Sequence, residues 1–339
     1  MAKVGIVATL SIQAGKEAEF ETVFNDLRSQ VLANEAGCEM YDVYKSKADA
    51  STYVIMERYA DDAALKAHGE TDYFKAAGAK FGALLAGAHA MDRHFVETPL
   101  GQNLPVMMAL VAVWNHNLLR CGSQVVAPYA QSLERFVAWL QQLEMESNGK
   151  GVHRDGRPLV RDSATALWGD VGTNSQHAFF QMLHQGTQVH PVDFILAVDP
   201  GHDQREQHRV LMANCLAQSA ALMQGRDAEA VRIALAEQGL QGEALEAAVP
   251  HRTFPGNRPS STLLMDRLDP WHLGVLMALY EHRTYALSVL WDLNAFDQWG
   301  VELGKVLARD VLLALEGGDD GTLDASTRAL VRHLREAGA

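Results

Sequence analysis

Near residue 74 the hydrophobic rhythm of this sequence changes, and the change points to two units built on different rules. Before it, residues 3–12 (KVGIVATLSI) form a strand-like run rich in β-branched side chains. Lys16 to Val31 then places Phe20, Val23, Phe24, Leu27 and Val31 on one side of a helix. Met40 to Lys45 and Thr52 to Tyr59 are two further strand candidates, separated by the polar turn KADAS. Asp61 and Asp62 offer a helix start before AALKAH. The order β-α-β-β-α describes an α+β unit.

Beyond Phe74 long helical patterns dominate. Leu84 to Phe95 reads as a helix that Thr98-Pro99-Leu100-Gly101 breaks. Helical and strand-like segments then alternate through MMALVAVW, SQVVAPY, ERFVAWLQQLEME, PVDFILAV, REQHRVLMANCLAQSAALM and TYALSVLWDLN. Short apolar strands between helices predict a parallel sheet covered on both faces. The polar stretch Gly225 to Ala248 reads as a helical surface insertion.

Composition removes several function classes. Forty-two acidic residues against 29 basic ones give a formal charge of −13, and no Lys/Arg run interrupts it, so a nucleic-acid partner is not expected. The longest apolar stretch, Leu104 to Trp114, is too short to span a bilayer, so no membrane partner is expected either. Met1-Ala2-Lys3 leads into a strand that breaks at Ser11 and Gln13, unlike a secretory leader. Cys38, Cys121 and Cys215 are far apart and match no metal or redox spacing. The expectation is a cytoplasmic protein with reduced thiols.

Three polar constellations carry the chemistry. Gln142 and Glu146 lie four apart and share a helix face just before Ser147-Asn148-Gly149, where the carboxylate could act as a base or merely be a solvated helix end. The small-residue run from Trp168 to His177 feeds the helix FFQMLHQ, with His177 at its start as an acid or a structural histidine. His184 follows seven residues later, but no third ligand has sensible spacing, so no metal is expected. Gln298, Glu302 and Lys305 fall at i, i+4 and i+7, one polar stripe on a helix or a plain surface pair.

Together these segments resemble the C-terminal half of the phosphoglucose isomerase family. FGALLAGAHAMDRHFVETPLGQNLPVMMALVAVWN, MESNGK, GTNSQHAFFQMLHQGT, FPGNRPSSTLL, ALYEHRTYA and FDQWGVELGK follow in that family's order. The resemblance implies a three-layer αβα sugar-isomerase (SIS-type) domain with a parallel sheet, acting on glucose 6-phosphate and fructose 6-phosphate without a cofactor. It places the catalytic base on Glu146 and a binding glutamine on Gln142. The ring-opening histidine, which in the family reaches into a partner subunit's site, falls on His177. Gln298 takes the phosphate-side glutamine and Lys305 the lysine that assists ring opening. A sugar phosphate substrate and a homodimer are the partners implied. The family's phosphate-cradling Ser/Thr loop and its Gly-Gly-Arg motif have no counterpart in residues 1–80.

The front of the chain resembles the antibiotic biosynthesis monooxygenase family through VGIVATLSIQAGKEAEFE, EAGCEMYDVYKS, YVIMERYADDAALKAH and YFKAAGAKFGALLAG. That implies a ferredoxin-like domain over residues 1–83 ahead of the isomerase-like residues 84–339. His68 falls on that family's histidine, and AHAMDRHF stands where its last strand would come. Three functions follow: an aldose–ketose isomerase of glycolysis and gluconeogenesis, a non-catalytic sugar-phosphate-binding or dimerisation module, and a cofactor-independent oxygenase activity of the front domain.

Overall fold

The computed structural model describes residues 3–11, 17–47 and 52–338. Two sheets organise them. The first is antiparallel, with strands β1 (Val4–Ser11), β2 (Cys38–Lys45) and β3 (Thr52–Tyr59) in the order β1-β3-β2. Helix α1 (Glu17–Asn34) packs on it through Phe20, Phe24 and Val31, which meet Tyr41, Tyr53 and Ile55 in a small core. The helix α1 and three strands stand in the order that the sequence pattern predicts, with β2 beginning earlier, at Cys38; residues 12 and 16 of the expected elements and the turn at residues 48–51 lie outside the described residues. Helix α2 (Asp62–Glu70) starts where Asp61 accepts a hydrogen bond from the Ala64 amide, a side-chain cap on an otherwise unpaired donor.

Helix α3 (Asp72–Glu97) follows at once and joins the two units without a linker. The expected division after residue 83 falls within it. Its first turn belongs to the small unit, where Tyr73 reaches Glu35. Its last three turns lie along a helix of the large unit, with Met91 and Ala88 in that unit's core.

The large unit continues with α4 (Leu104–Val113), β4 (Ser123–Pro128), α5 (Phe136–Leu140), β5 (Ala166–Gly169), α6 (Gly172–Ala178), α7 (Phe180–Gln185), β6 (Val192–Asp199) and α8 (Arg205–Gln224). Helices α9 (Ala228–Glu237) and α10 (Gly242–Arg252) make up the polar insertion, and β7 (Ser260–Arg267), α11 (Pro270–Trp291), α12 (Glu302–Leu315) and α13 (Ala325–Glu336) complete the order. The four strands are parallel, in the order β5-β4-β6-β7.

Alternation along the strands builds a core on each face. Val126, Leu167 and Ile195 point to one side, against Phe136, Trp139, Leu140 and the buried stripe Leu276–Tyr280 of α11. Val125, Ala127, Phe194 and Leu196 point to the other, against Phe180, Leu183, Cys215 and Leu222. Helices on both faces make three layers, as the near-continuous apolar strands require. MMALVAVW and TYALSVLW are both helical and pack on each other through Ala109, Ala286, Leu287 and Trp291, while Leu110, Val111, Val289 and Leu290 stay exposed. No helix among the described residues is long and apolar enough to cross a membrane.

Helix α3 comes close to the backbone of α11 at Gly87. A Cβ there would stand 1.9 Å from the Trp271 carbonyl oxygen, so only glycine allows this spacing. Gly87→Ala should therefore lower stability by about 1–3 kcal/mol, as overpacking does. Gly101→Ala, where a Cβ meets nothing within 4 Å, should leave the urea midpoint unchanged. Equal midpoints for both variants would refute the close-contact account.

Candidate active site

Two of the expected site residues, Gln142 and Glu146, sit where an α-helix loosens. After α5 the chain passes into a π-helical segment, Gln141–Glu146, and not the regular α-helix that the four-residue spacing suggested. The wider turn still leaves Gln142 and Glu146 on the same side, and both line a cavity of about 810 Å³. Gly149 ends the segment: its amide bonds the Met145 carbonyl at 2.9 Å, and a Cβ there would meet the same oxygen at 2.3 Å.

The inner side of the same segment carries a charge. Glu144 is buried and accepts hydrogen bonds from Arg283 Nη1 at 3.3 Å and Thr284 Oγ1 at 2.8 Å, both on α11. Arg283 also donates to Gln124 Oε1 at 2.6 Å, and Gln124 donates to Asp193 at 2.7 Å, where Tyr280 adds a second donor at 3.2 Å. Loss of water pushes the Asp193 carboxyl above the usual carboxylate range, against the pull of Arg283. Burial works against the Arg283 charge, but Glu144 and Asp193 more than offset it and the guanidinium is held above its ordinary value. This network ties α11 and strands β4 and β6 to the segment that displays Gln142 and Glu146.

The loop between α11 and α12 also contributes to the lining. Phe296 adopts φ 62°, the left-handed region that aromatic residues rarely enter, and both Phe296 and Gln298 line the cavity. Lys150 holds this loop against the π segment by donating to the carbonyls of Ser147 and Asn294. Burial lowers the pKa of that ammonium, against the pull of Asp297 and Glu146. Phe95 and Val96 from α3 line the cavity as well, with Glu281, His282 and Tyr285 from α11. His282 Nε2 lies 2.7 Å from Asp92 Oδ1, and Phe95 stacks on its ring at 4.3 Å between centroids.

Two expected positions lie elsewhere. The helix reading FFQMLHQ begins earlier than the sequence suggested: α6 already starts at Gly172, packed against the Tyr129 ring, and it breaks at Phe179. His177 is therefore in the last turn of α6 and exposed, not at a helix start, and it is not part of the cavity wall. The expected stripe from Gln298 to Lys305 is also divided, because α12 begins only at Glu302. Lys305 is exposed and pairs with Glu302 at 2.7 Å, away from the cavity lining, while Gln298 turns into it.

His68 is buried in the small unit. Its Nδ1 lies 2.9 Å from both oxygens of Glu35, to which the Tyr73 hydroxyl donates at 2.7 Å. Burial and that carboxylate push the Tyr73 phenol up to about 12. The other imidazole nitrogen, Nε2, is buried among Tyr41, Tyr59 and Phe74 with no hydrogen-bond partner among the described residues. Beside this group, Glu35, Cys38, Thr71 and Tyr73 line a second cavity of about 530 Å³.

Of the residues around this cavity, the sequence reading singled out Gln142, Glu146 and Gln298 but not His282, Asp92 or the Arg283–Glu144 pair. The available signal was an Arg and a Glu side by side with His in the otherwise apolar run ALYEHRTYALSVLW. Replacing Arg283 with Met should cost about 3–5 kcal/mol, because Glu144 would stay buried without its partner. The double change R283M/E144M should recover most of that loss. Denaturant unfolding showing the double variant as weak as the single one would refute this.

Comparison with known proteins fits this geometry. The phosphoglucose isomerase family profile matches residues 74–331, and the antibiotic biosynthesis monooxygenase profile matches residues 3–80. Glucose-6-phosphate isomerase 1 of Chromobacterium violaceum is 51% identical over 263 residues, covering 76% of this chain and 47% of that protein. Glucose-6-phosphate isomerase of Methylocella silvestris is 53% identical over 265 residues, covering 76% and 48%. A crystal structure of a glucose-6-phosphate isomerase from Chlamydia trachomatis superposes with a TM-score of 0.64 at 36% identity, over 80% of this chain and 48% of that one. The chain thus spans about half the length of the curated relatives it matches. With its core, its π segment and its cavity all inside the matched region, the chain belongs to the phosphoglucose isomerase family, behind an antibiotic biosynthesis monooxygenase domain.

Proposed function

We propose that residues 84–339 interconvert glucose 6-phosphate and fructose 6-phosphate, with Glu146 moving the proton between C1 and C2 through a cis-enediol. The observation that carries this reading is the meeting of Gln142, Glu146 and Gln298 in one cavity although they come from two separate segments. Aldose–ketose exchange needs one carboxylate held near two adjacent carbons, and the network behind Glu144 fixes the segment that holds it. Gln142 and Gln298 supply amide donors and acceptors for hydroxyl and phosphate oxygens. His177 and Lys305 complete the assignment as ring-opening groups. The exposure of His177 suits a homodimer in which it enters the second copy's cavity. Such an enzyme would serve glycolysis and gluconeogenesis in the cytoplasm and need no cofactor.

The residues that cradle the phosphate in the family lie in the half that this chain does not match, so turnover is expected to be slow. A coupled assay should detect fructose 6-phosphate conversion that falls by about 10³-fold or more in Glu146→Gln. Conversion unchanged in that variant would discard the assignment. Binding of the sugar phosphate without turnover would support a non-catalytic module instead.

A second reading belongs to residues 1–83 and rests on His68. A buried imidazole oriented by Glu35, its other nitrogen set among aromatic rings without a partner among the described residues, suits proton removal from a phenolic ligand. Oxygen uptake with a hydroquinone should be measurable and should disappear in His68→Gln. No uptake across a panel of hydroquinones would end this reading.

A further inference from the structure

Isomerisation moves two protons, one between carbons and one between oxygens. Glu146 accounts for the first; nothing assigned so far accounts for the second. We propose that His282 carries the proton between O2 and O1 of the bound sugar, an inference that rests on the isomerase reading above.

The geometry points to this residue for three reasons. His282 lines the same cavity as Glu146, and its side chain is 23% exposed, so the ring is held but open to a ligand. Asp92 engages Nε2 at 2.7 Å, and a carboxylate can only accept there, so in the neutral ring the proton stays on Nε2 and Nδ1 keeps its lone pair. Phe95 stacks on the imidazole with 13° between planes, and Tyr285 meets Phe95 edge-on, which fixes the ring's tilt. A ring locked in one tautomer and one plane within a cavity is arranged for proton exchange at a single atom.

The step balances without a co-reactant. After Glu146 has taken the C2 proton, an enediolate remains with its negative charge on O1 and a hydroxyl at O2. His282 Nδ1 takes the O2 proton, and the resulting imidazolium returns it to O1. The electrons of the O2–H bond form the C2 carbonyl as the C1–C2 double bond takes its proton back at C1 from Glu146. Both protein groups end as they began. Asp92 acts on the ring and not on the sugar, so it is a positioning residue.

The test separates the two proton transfers. With C2-deuterated glucose 6-phosphate, H282Q should isomerise about 100-fold more slowly, the scale of a lost acid–base group. Deuterium washout from recovered glucose 6-phosphate should persist, because Glu146 still removes it. Washout and isomerisation falling together, or neither falling, would overturn the proposal. Glu146→Gln should abolish both. If the unaltered chain shows neither process, the isomerase reading fails by itself, and 15N spectra of its histidines with fructose 6-phosphate then decide on His282. A protonated Nε2 and an Nδ1 resonance displaced by the sugar would uphold the contact; an Nδ1-protonated ring or no displacement would overturn it. The same spectra serve if H282Q does not fold.

Discussion

The charge buried between Arg283 and Glu144 is what the rest of the large unit is arranged around. Both side chains are almost wholly withdrawn from water. An unpaired charge in that position would be costly, so the pair forces α11 and the π segment into one relative placement. Gln124 and Asp193 extend the demand into the sheet. Once those contacts are met, the residues on the outer side of the segment have little freedom left. A purely apolar filling would pack as well, but it would not say which turn of the segment faces inward.

How much of this was legible in the sequence differs by scale. Strand β3 is found at the residues its pattern marked, Thr52 to Tyr59, because alternating β-branched and aromatic residues fit one half-buried sheet surface. β2 begins at Cys38, two residues before the pattern suggested, since the Cys38 end pairs with Tyr59 through a bulge. The parallel sheet was readable from the apolar runs in β4 and β6. The looser π turn was not, because a four-residue spacing looks the same in either helix. The split of GTNSQHAFFQMLHQ into two helices was hidden as well, since it depends on Phe179 turning at φ −140°.

The candidate site was legible only where a motif named its residues. Gln142 and Glu146 are neighbours in sequence, but Gln298 joins them through tertiary folding alone. The His282–Asp92 pair joins residues 190 positions apart, and neither carries a local pattern that announces the other. What brings them together is the crossing of α3 and α11, which in turn needs the bare backbone of Gly87. The close approach of two helices is a property of surfaces, and spacing along one strand of text does not encode it.

Helix α3 has one more consequence. Tyr73 at its beginning touches the Glu35–His68 cluster, and Asp92 near its end holds His282. An α-helix turns by about 100° and advances about 1.5 Å with each residue. A single inserted residue would therefore swing one end sideways relative to the other, whereas seven would restore the phase at the expense of distance. The joint between the two units behaves like a toothed shaft, adjustable in whole turns and nowhere in between, and a chain that gains or loses residues there must do so in those steps or give up one of the two clusters.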